Sequence, residues 1–315
     1  GGGREYYSFL VKLFVLPLGS MFKPTKRIEG AHEEGIWAVK WKGGVICTGS
    51  LDGTVKHWQN DLSLNGTSAA KKLGITSVSI LNDSNSVVSC CQDSTVQIHN
   101  IRDMSLSESI QPGLLEAWTI CTSPNDMLVA GGSQSGAVNL WSLQNRRKVN
   151  SFVAGNKLIA DTAFSPHGDK LAAVGVDGVL SVFDIQSEKC LLQAEAHALP
   201  ARQVTFSPDG NLIYTASVDR HVNIFDVGQQ VAVSSFSHGG MALSVDVSPD
   251  NRRFVSSCSN HSVHIWDIGM QRCLQSFDTQ HSDQVWGVCF NATGDKFVSV
   301  GDDSSMQLYE NASSK

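Results

Sequence analysis

Side chains of the three types that a Ser-His-Asp hydrolase combines recur several times along this chain. One set contains a histidine, a hydroxyl and a carboxylate at His32, Thr48 and Asp52. Three further sets follow at similar spacing: His197, Thr215 and Asp219; His238, Ser256 and Asn260; His281, Ser299 and Asp303. A hydrolase needs one active site. Four equivalent sets therefore favour a structural role, in which buried polar groups satisfy one another's hydrogen bonds.

Other signatures of catalysis or cofactor binding are missing from the sequence. It has no phosphate-binding loop, no dinucleotide fingerprint, no nucleophile elbow and no H-E-x-x-H pair. Its eight cysteines form no C-x-x-C pair and no zinc-ligand spacing with histidine. We expect these thiols to be small buried side chains in a reducing compartment. The sequence therefore predicts no enzyme, no metal and no cofactor.

The histidine sets belong to a longer repeat. One copy runs from Ser50 to Trp58, with an Asp-Gly turn before residues of alternating polarity. Apolar runs of period two are separated by turns such as Ser207-Pro208-Asp209-Gly210. The aromatic position recurs every 41 to 43 residues, at Trp58, His99, Trp141, Phe183, Phe225, Trp266 and Tyr309. Four short antiparallel strands in each of seven repeats predict an all-β fold, a seven-bladed β-propeller.

From residue 22 to residue 310 these repeats resemble WD repeats. The family's Trp-Asp dipeptide is present at Trp266-Asp267, and phenylalanine replaces its tryptophan at Phe183-Asp184 and Phe225-Asp226. The resemblance implies a structural tetrad of hydrogen-bonded side chains, formed in the first repeat by His32, Thr48, Asp52 and Trp58. The second, third and fourth repeats lack the histidine. We therefore expect their blades to depend more on apolar packing.

The beginning of the chain is predicted to have two parts. Residues 1–20 are interpreted as a leader or an added extension, with a signal peptide as the alternative, and residues 21–315 as a single propeller. The apolar run at 9–18 is shorter than the about 20 residues that cross a membrane, so no membrane association is expected. Residues 22–28 are expected to pair as the outermost strand of the seventh blade and close the propeller. Pro24 fits this edge position.

One position at the start of each innermost strand is expected to lie at one mouth of the central channel. From the first to the seventh blade it holds Trp37, Thr76, Trp118, Ala160, Arg202, Leu243 and Trp286. Turn residues expected on the same face are Leu51, Gln92 and Asp302. The tryptophans either cap the channel by packing or form a platform for a peptide. We favour the platform, because Trp and Arg are common anchors at interfaces.

A closer resemblance rests on the last blade. Gln284-Val285-Trp286-Gly287-Val288 and residues 298–303 are similar to the WD-repeat subunits of Ski (superkiller) complexes. This resemblance implies a non-catalytic, monomeric propeller that is one subunit of a hetero-oligomer. The other subunits would be a tetratricopeptide-repeat scaffold and an RNA helicase. The assembly would support exosome-mediated 3′-to-5′ mRNA decay. It also implies association with the Paf transcription-elongation complex in animals, a meiotic role in fungal relatives, and a location in both cytoplasm and nucleus.

The same resemblance suggests the chemistry of the bound segment, an arginine followed by a hydrophobic residue. A carboxylate can bind a guanidinium bidentately. The carboxylates expected to face that arginine are Glu116, Asp283 and Asp302.

Two other functions of WD-repeat proteins stay open as alternatives. Substrate receptors of cullin-type ubiquitin ligases often carry an arginine three residues beyond Trp-Asp, whereas here Arg272 comes later after Asp267. A histone-tail reader would need an aromatic cage for a cation, which Arg202 would repel. The net charge of −6 argues against direct binding of nucleic acid or an anionic membrane.

Overall fold

The computed structural model describes residues 21–113 and 115–312, and all regular structure in these residues is β. Within them, twenty-eight strands form seven four-stranded antiparallel sheets. The predicted all-β fold, a seven-bladed propeller, is confirmed. The predicted leader at residues 1–20 lies outside the described residues.

The strands of each blade follow one another in the chain, from the innermost outward. Strand β1 (Phe22–Ile28) comes first and belongs to the last blade. Blades one and two contain β2 (Ile36–Lys42), β3 (Val45–Ser50), β4 (Val55–Gln59), β5 (Leu64–Thr67), β6 (Ile75–Ile80), β7 (Ser86–Cys91), β8 (Val96–Asn100) and β9 (Leu106–Ile110). Blades three and four contain β10 (Thr119–Thr122), β11 (Leu128–Gly132), β12 (Ala137–Ser142), β13 (Lys148–Val153), β14 (Ile159–Phe164), β15 (Lys170–Gly175), β16 (Val179–Asp184) and β17 (Cys190–Glu195).

The last three blades continue the same order. Blades five and six contain β18 (Ala201–Phe206), β19 (Leu212–Ser217), β20 (His221–Asp226), β21 (Val231–Ser237), β22 (Ala242–Val247), β23 (Arg253–Cys258), β24 (Val263–Asp267) and β25 (Arg272–Phe277). Blade seven contains β26 (Val285–Phe290), β27 (Lys296–Gly301) and β28 (Met306–Asn311), with β1 as its outermost strand.

Blade seven joins the two ends of the described chain. Strand β1 pairs antiparallel with β28, and Phe22 lies opposite Asn311. The ladder shifts register just after Pro24, where a proline at a sheet edge leaves no ladder hydrogen bond unmade. The Phe22 ring is 1% exposed and packs against Phe290 and Phe297. Edge pairing and a buried aromatic contact together hold the seam.

The apolar core lies between neighbouring blades. One cluster joins Ile36 and Trp58 of blade one to Val298 and Met306 of blade seven. Each buried side chain of this kind contributes roughly 1.5–3 kcal/mol relative to exposure. Every blade therefore depends on its neighbours for burial of its faces, and the ring keeps the innermost strands, which carry the channel mouth, in fixed positions.

The outermost strands are the exposed ones, and this corrects one expectation about the cysteines. Cys190 on β17 and Cys273 on β25 are exposed, and Cys121 is half-buried. The thiols that are buried as expected are Cys47, Cys90, Cys91, Cys258 and Cys289. The expectation was wrong for Cys190 and Cys273 because the outermost strand of a blade has no further strand to cover it.

Candidate functional site

A β-bulge marks the predicted rim position in six of the seven blades. The ladder between the two innermost strands skips the rim residue, as between Ile36 and Ala38 in blade one. The skipped residues are Trp37, Thr76, Ala160, Arg202, Leu243 and Trp286. A bulge removes a residue from regular pairing and re-aims its side chain. In blade three, Trp118 stands just before β10 and its backbone N–H donates to the carbonyl of Gly132 at 2.7 Å.

All seven rim residues line one cavity at this mouth of the channel. Its volume is about 170 Å³. Small-molecule and cofactor sites usually measure about 300–1,000 Å³, so this cavity suits a single side chain better than a cofactor.

The three rim tryptophans differ in what holds them. The rings of Trp37 and Trp286 lie 5.4 Å apart between centroids, and the Trp37 Nε1–H donates to Asp302 Oδ1 at 3.3 Å. The Nε1–H of Trp286 is buried and has no hydrogen-bond partner among the described residues. The half-buried Trp118 indole makes no hydrogen bond or aromatic contact with the rest of the described chain. Packing therefore accounts for the Trp37–Trp286 pair and leaves Trp118 available.

Arg202 lies beside this aromatic pair. Its guanidinium carbon is 5.0 Å from the centroid of the Trp286 ring, a cation–π contact. Partial burial lowers the pKa of Arg202, although an arginine keeps its charge in proteins. The Trp286 face is thus already in contact with a cation of the chain itself.

The predicted turn residues lie on the same face as the rim. The backbone N–H groups of Leu51 and Gln92 donate to the carbonyls of Gly35 and Gly74, each at 3.0 Å, and that of Asp302 donates to Gln284 at 2.9 Å. These acceptors immediately precede innermost strands, so the turns rest against the start of β2, β6 and β26. A Cβ at Gly35 would lie 2.5 Å from Asp302 Oδ1 and 3.2 Å from Asp302 Cα, so glycine lets the two turns approach closely without a shift of Asp302.

The three carboxylates expected to face a partner arginine do not lie together. Asp302 stands beside Trp37 at the mouth, and Asp283 is exposed on the loop before β26. Glu116 instead points toward the outermost strand, where its carboxylate lies 3.6 Å from the Lys148 ammonium. The Asn139 amide of the same blade donates to the Glu116 backbone carbonyl at 3.0 Å, which holds Glu116 against its own blade. Glu116 is therefore removed from the candidate site.

Charged residues missed in the sequence lie deeper in the channel. Lys40 is open to channel solvent although protein surrounds it. Burial opposes its charging, but nearby acidic groups including Asp161 and Asp246 outweigh this and raise its pKa. Burial also raises the pKa of Asp161 and of Asp246, and Lys40 offsets part of that.

These carboxylates bridge neighbouring blades. Asp161 Oδ2 accepts from the Val204 N–H at 3.1 Å, and Asp246 Oδ2 accepts from the Phe290 N–H at 2.7 Å. They hold adjacent innermost strands together. The sequence signal that could have identified these channel residues is a charged residue one or three positions after the rim residue.

In blade one, hydrogen bonds join the four side chains of the predicted tetrad. The Trp58 Nε1–H donates to Thr48 Oγ1 at 2.9 Å, and Thr48 lies 2.7 Å from His32 Nε2. His32 Nδ1 lies 2.9 Å from Asp52 Oδ2. This order makes His32 a neutral ring with its proton on Nδ1, and burial lowers its pKa to about 4. Thr48 is 0% exposed, so its hydroxyl cannot reach a substrate while the blade is intact.

The other three sets keep the histidine-to-hydroxyl bond at 2.7 to 2.8 Å, in His197–Thr215, His238–Ser256 and His281–Ser299. The carboxylate partner is present for His197 and His281. His238 Nδ1 donates instead to the Phe236 carbonyl at 3.0 Å, since Asn260 replaces the aspartate.

No group of three or more His, Cys, Asp or Glu side chains in residues 21–113 and 115–312 is arranged to hold a metal ion. The same part of the chain contains no helix of sufficient length and hydrophobicity to traverse a bilayer.

Comparison with known families agrees with this geometry. A family model described as "WD domain, G-beta repeat" matches residues 22–59, 63–100, 188–226, 230–267 and 271–310, more than half of the chain. The chain belongs to the WD-repeat family. A WD-repeat propeller is typically a non-catalytic scaffold for protein interactions.

Similar individual proteins cover the chain to different extents. "WD repeat-containing protein SL1-17" of Schistosoma mansoni is 33% identical over 291 residues, 89% of this chain and 96% of that protein. "WD repeat-containing protein VIP3" of Arabidopsis thaliana is 32% identical over 201 residues, 57% of this chain and 62% of that protein. "Superkiller complex protein 8" of Dictyostelium discoideum is 34% identical over 99 residues, 30% of this chain and 33% of that protein. The matches thus span less than two thirds of the last two relatives.

Proposed function

We propose that this chain is a non-catalytic subunit of a Ski complex that supports exosome-mediated 3′-to-5′ mRNA decay. Its role there is to hold a short segment of the tetratricopeptide-repeat subunit at the channel mouth, with the RNA helicase as a further partner in the assembly. Partial similarity to a superkiller complex protein supports the choice of assembly. An associated role in the Paf transcription-elongation complex is part of the same proposal, with cytoplasm and nucleus as the compartments.

The observation that carries the proposal is the unequal use of the three rim tryptophans. Trp37 and Trp286 pack on each other, whereas the Trp118 indole has no hydrogen-bond or aromatic partner within the described residues. A large half-exposed indole beside a cavity of side-chain size is typical of an interface anchor. A hydrophobic side chain of the partner segment would enter the cavity against Trp118.

The alternative functions receive less support from the rim. A methyl-lysine reader needs an open aromatic face, but Arg202 lies over Trp286. Direct RNA binding needs a basic surface, whereas the chain carries 30 acidic against 24 basic side chains. Recovery of a cullin adaptor by affinity purification would favour the remaining alternative, a substrate receptor of a cullin-type ubiquitin ligase.

The test is the affinity of the purified tetratricopeptide-repeat subunit for propeller variants, measured by calorimetry. Trp118→Ala should weaken binding by about 2 kcal/mol, or roughly 30-fold, with a melting temperature close to that of the original protein. Trp286→Ala should weaken binding and also lower the melting temperature, because the contact with Trp37 is lost. The control is Leu64→Ala on outermost strand β5, where the side chain is 52% exposed. Unchanged affinity of a folded Trp118→Ala protein would overturn the proposal.

A further inference from the structure

The guanidinium of Arg202 packs on an aromatic ring but has no carboxylate partner among the described residues. It rests 5.0 Å from the Trp286 centroid. Neither a hydrogen bond nor an ion pair joins it to any other residue in 21–113 and 115–312. The ring contact satisfies none of the five N–H donors of an arginine. Arg202 therefore presents unused donors at the cavity where the rim residues meet.

Partial burial makes this arrangement costly for the free protein. Removing a charge from water is unfavourable unless another charge or good hydrogen bonds replace the lost solvation. Arg202 is half-buried, and its nearest identified contact is an aromatic ring. An incoming anion would supply charge-assisted hydrogen bonds to a planar fork whose geometry matches a carboxylate.

Acidic side chains elsewhere around the mouth indicate which class of anionic ligand can bind at Arg202. Exposed Glu33, Glu34 and Asp283 and half-buried Asp302 precede or follow strands of blades seven and one. Arg202 belongs to blade five, on another part of the ring. A nucleic acid carries a charge at every phosphate and would be repelled by the acidic side. A peptide with one carboxylate and one cationic residue matches this distribution: its carboxylate can bind Arg202, and its cation can lie near the acidic residues of blades seven and one.

We propose that Arg202 is an anion subsite for an Asp or Glu side chain of the bound segment, which forms charge-assisted hydrogen bonds with the guanidinium. This inference rests on the proposed function, because it assumes that a peptide segment occupies the mouth. It adds an acidic residue to the segment, distinct from the arginine and the hydrophobic residue already expected.

A random peptide library displayed on phage and selected on the immobilised propeller tests the subsite without a known partner. The original protein should enrich peptides with Asp or Glu at one fixed position. The Arg202→Gln protein should select peptides without that acidic preference. Arg147→Gln, at an exposed arginine just before outermost strand β13, is the matched control and should keep it.

A double-mutant cycle on one selected peptide measures the contact. Replacement of its acidic residue by the corresponding amide should weaken binding to the original protein by about tenfold or more. The same replacement should have no effect on binding to Arg202→Gln, whose melting temperature is measured in parallel. Equal losses with both proteins, or selected peptides without an acidic position, would overturn the subsite and leave the proposed function standing. Failure to select any peptide would count against both.

Discussion

Blades one and two are neighbours in the propeller, and each has a buried hydroxyl at the same position, but the hydrogen bonds of the two hydroxyls differ. In blade one, Thr48 accepts from Trp58 and bonds His32. In blade two, the equivalent positions hold Ser89 and His99. Both side chains are buried, and no hydrogen bond within the described residues reaches the Ser89 hydroxyl. Blade two has kept the hydroxyl and lost the histidine that would use it.

Blades three and four show the other way to lose the tetrad. The position of the hydroxyl is Gly131 in blade three and Ala173 in blade four. In blade three, the Trp141 ring fills the space, and a Cβ on Gly131 would lie 2.7 Å from it. Blades three and four therefore have neither the hydroxyl nor the histidine that pair in blade one, although blade three keeps the tryptophan at Trp141. The expectation that these blades depend on apolar packing agrees with this arrangement.

The comparison teaches that the tetrad stabilises individual blades without being required for the blade fold. Removal of one partner leaves a buried polar group unpaired at a cost of about 1–3 kcal/mol, whereas removal of both can be nearly neutral. The family model skips residues 101–187, which include all of blade three. Those residues nevertheless form the same four-stranded sheets.

The largest expected effect is the loss of stability in acid that the buried histidines of blades one and six cause. Burial lowers the pKa of His32 and of His238 to about 4, below the usual 6.5. As pH falls below 6.5 the unfolded chain takes up these protons first, so the free energy of unfolding decreases until about pH 4. Each histidine should account for about 3 kcal/mol of that decrease.

Urea unfolding at pH 7, 6, 5 and 4 measures this effect. The His238→Gln variant should be less stable than the original protein at pH 7 and should show a smaller decrease toward pH 4. An identical pH dependence in the two proteins would show that His238 is not a source of the acid sensitivity.

The next effect concerns the hydroxyl at the centre of the blade-one tetrad. Thr48→Val keeps the shape of the side chain and removes the acceptor of Trp58 and the partner of His32. Two buried groups lose a hydrogen bond, so the free energy of unfolding should fall by about 3 kcal/mol. Urea unfolding at pH 7 checks this value. A loss below 1 kcal/mol would mean that solvent or a shifted side chain replaces the hydroxyl.

A hydroxyl restored to blade three should destabilise rather than stabilise. In the Gly131→Ser protein the new Cβ must displace the Trp141 ring, and overpacking of this kind costs about 2 kcal/mol. Gly228→Ser is the control, since a Cβ there would meet only Asp226 Oδ1 at an ordinary 3.5 Å. Thermal melting of both variants decides the matter, and a more stable Gly131→Ser protein would contradict the packing account.

The fold and the membership of the rim could be predicted from the sequence because both depend on spacing. Seven aromatic positions at six near-equal intervals define the blades. One position at the start of each innermost strand places Trp37, Trp118 and Arg202 around one mouth of the channel. The direction of individual side chains could not be predicted in the same way. Glu116 is adjacent to the rim in sequence but extends to Lys148.

Structural details that depend on local geometry could also not be predicted from the sequence. The bulges that re-aim Trp37 and Arg202 have no residue signature in this chain. The bridging roles of Asp161 and Asp246 depend on the distance between neighbouring blades. A repeat gives the position of each residue in a blade, but contacts across blades require the closed ring.

The smallest expected effect comes from removing the unused hydroxyl of blade two. Ser89→Ala takes away a buried Oγ that lacks a partner in the described residues, so the free energy of unfolding should rise by about 1 kcal/mol. Ser256→Ala is the same change at the equivalent position of blade six. There the hydroxyl bonds His238 and accepts from Trp266, so its loss should destabilise. Urea unfolding of the pair should give changes of opposite sign. Equal destabilisation by both would show that the Ser89 hydroxyl is satisfied in solution and that blade two does not differ from blade six in this respect.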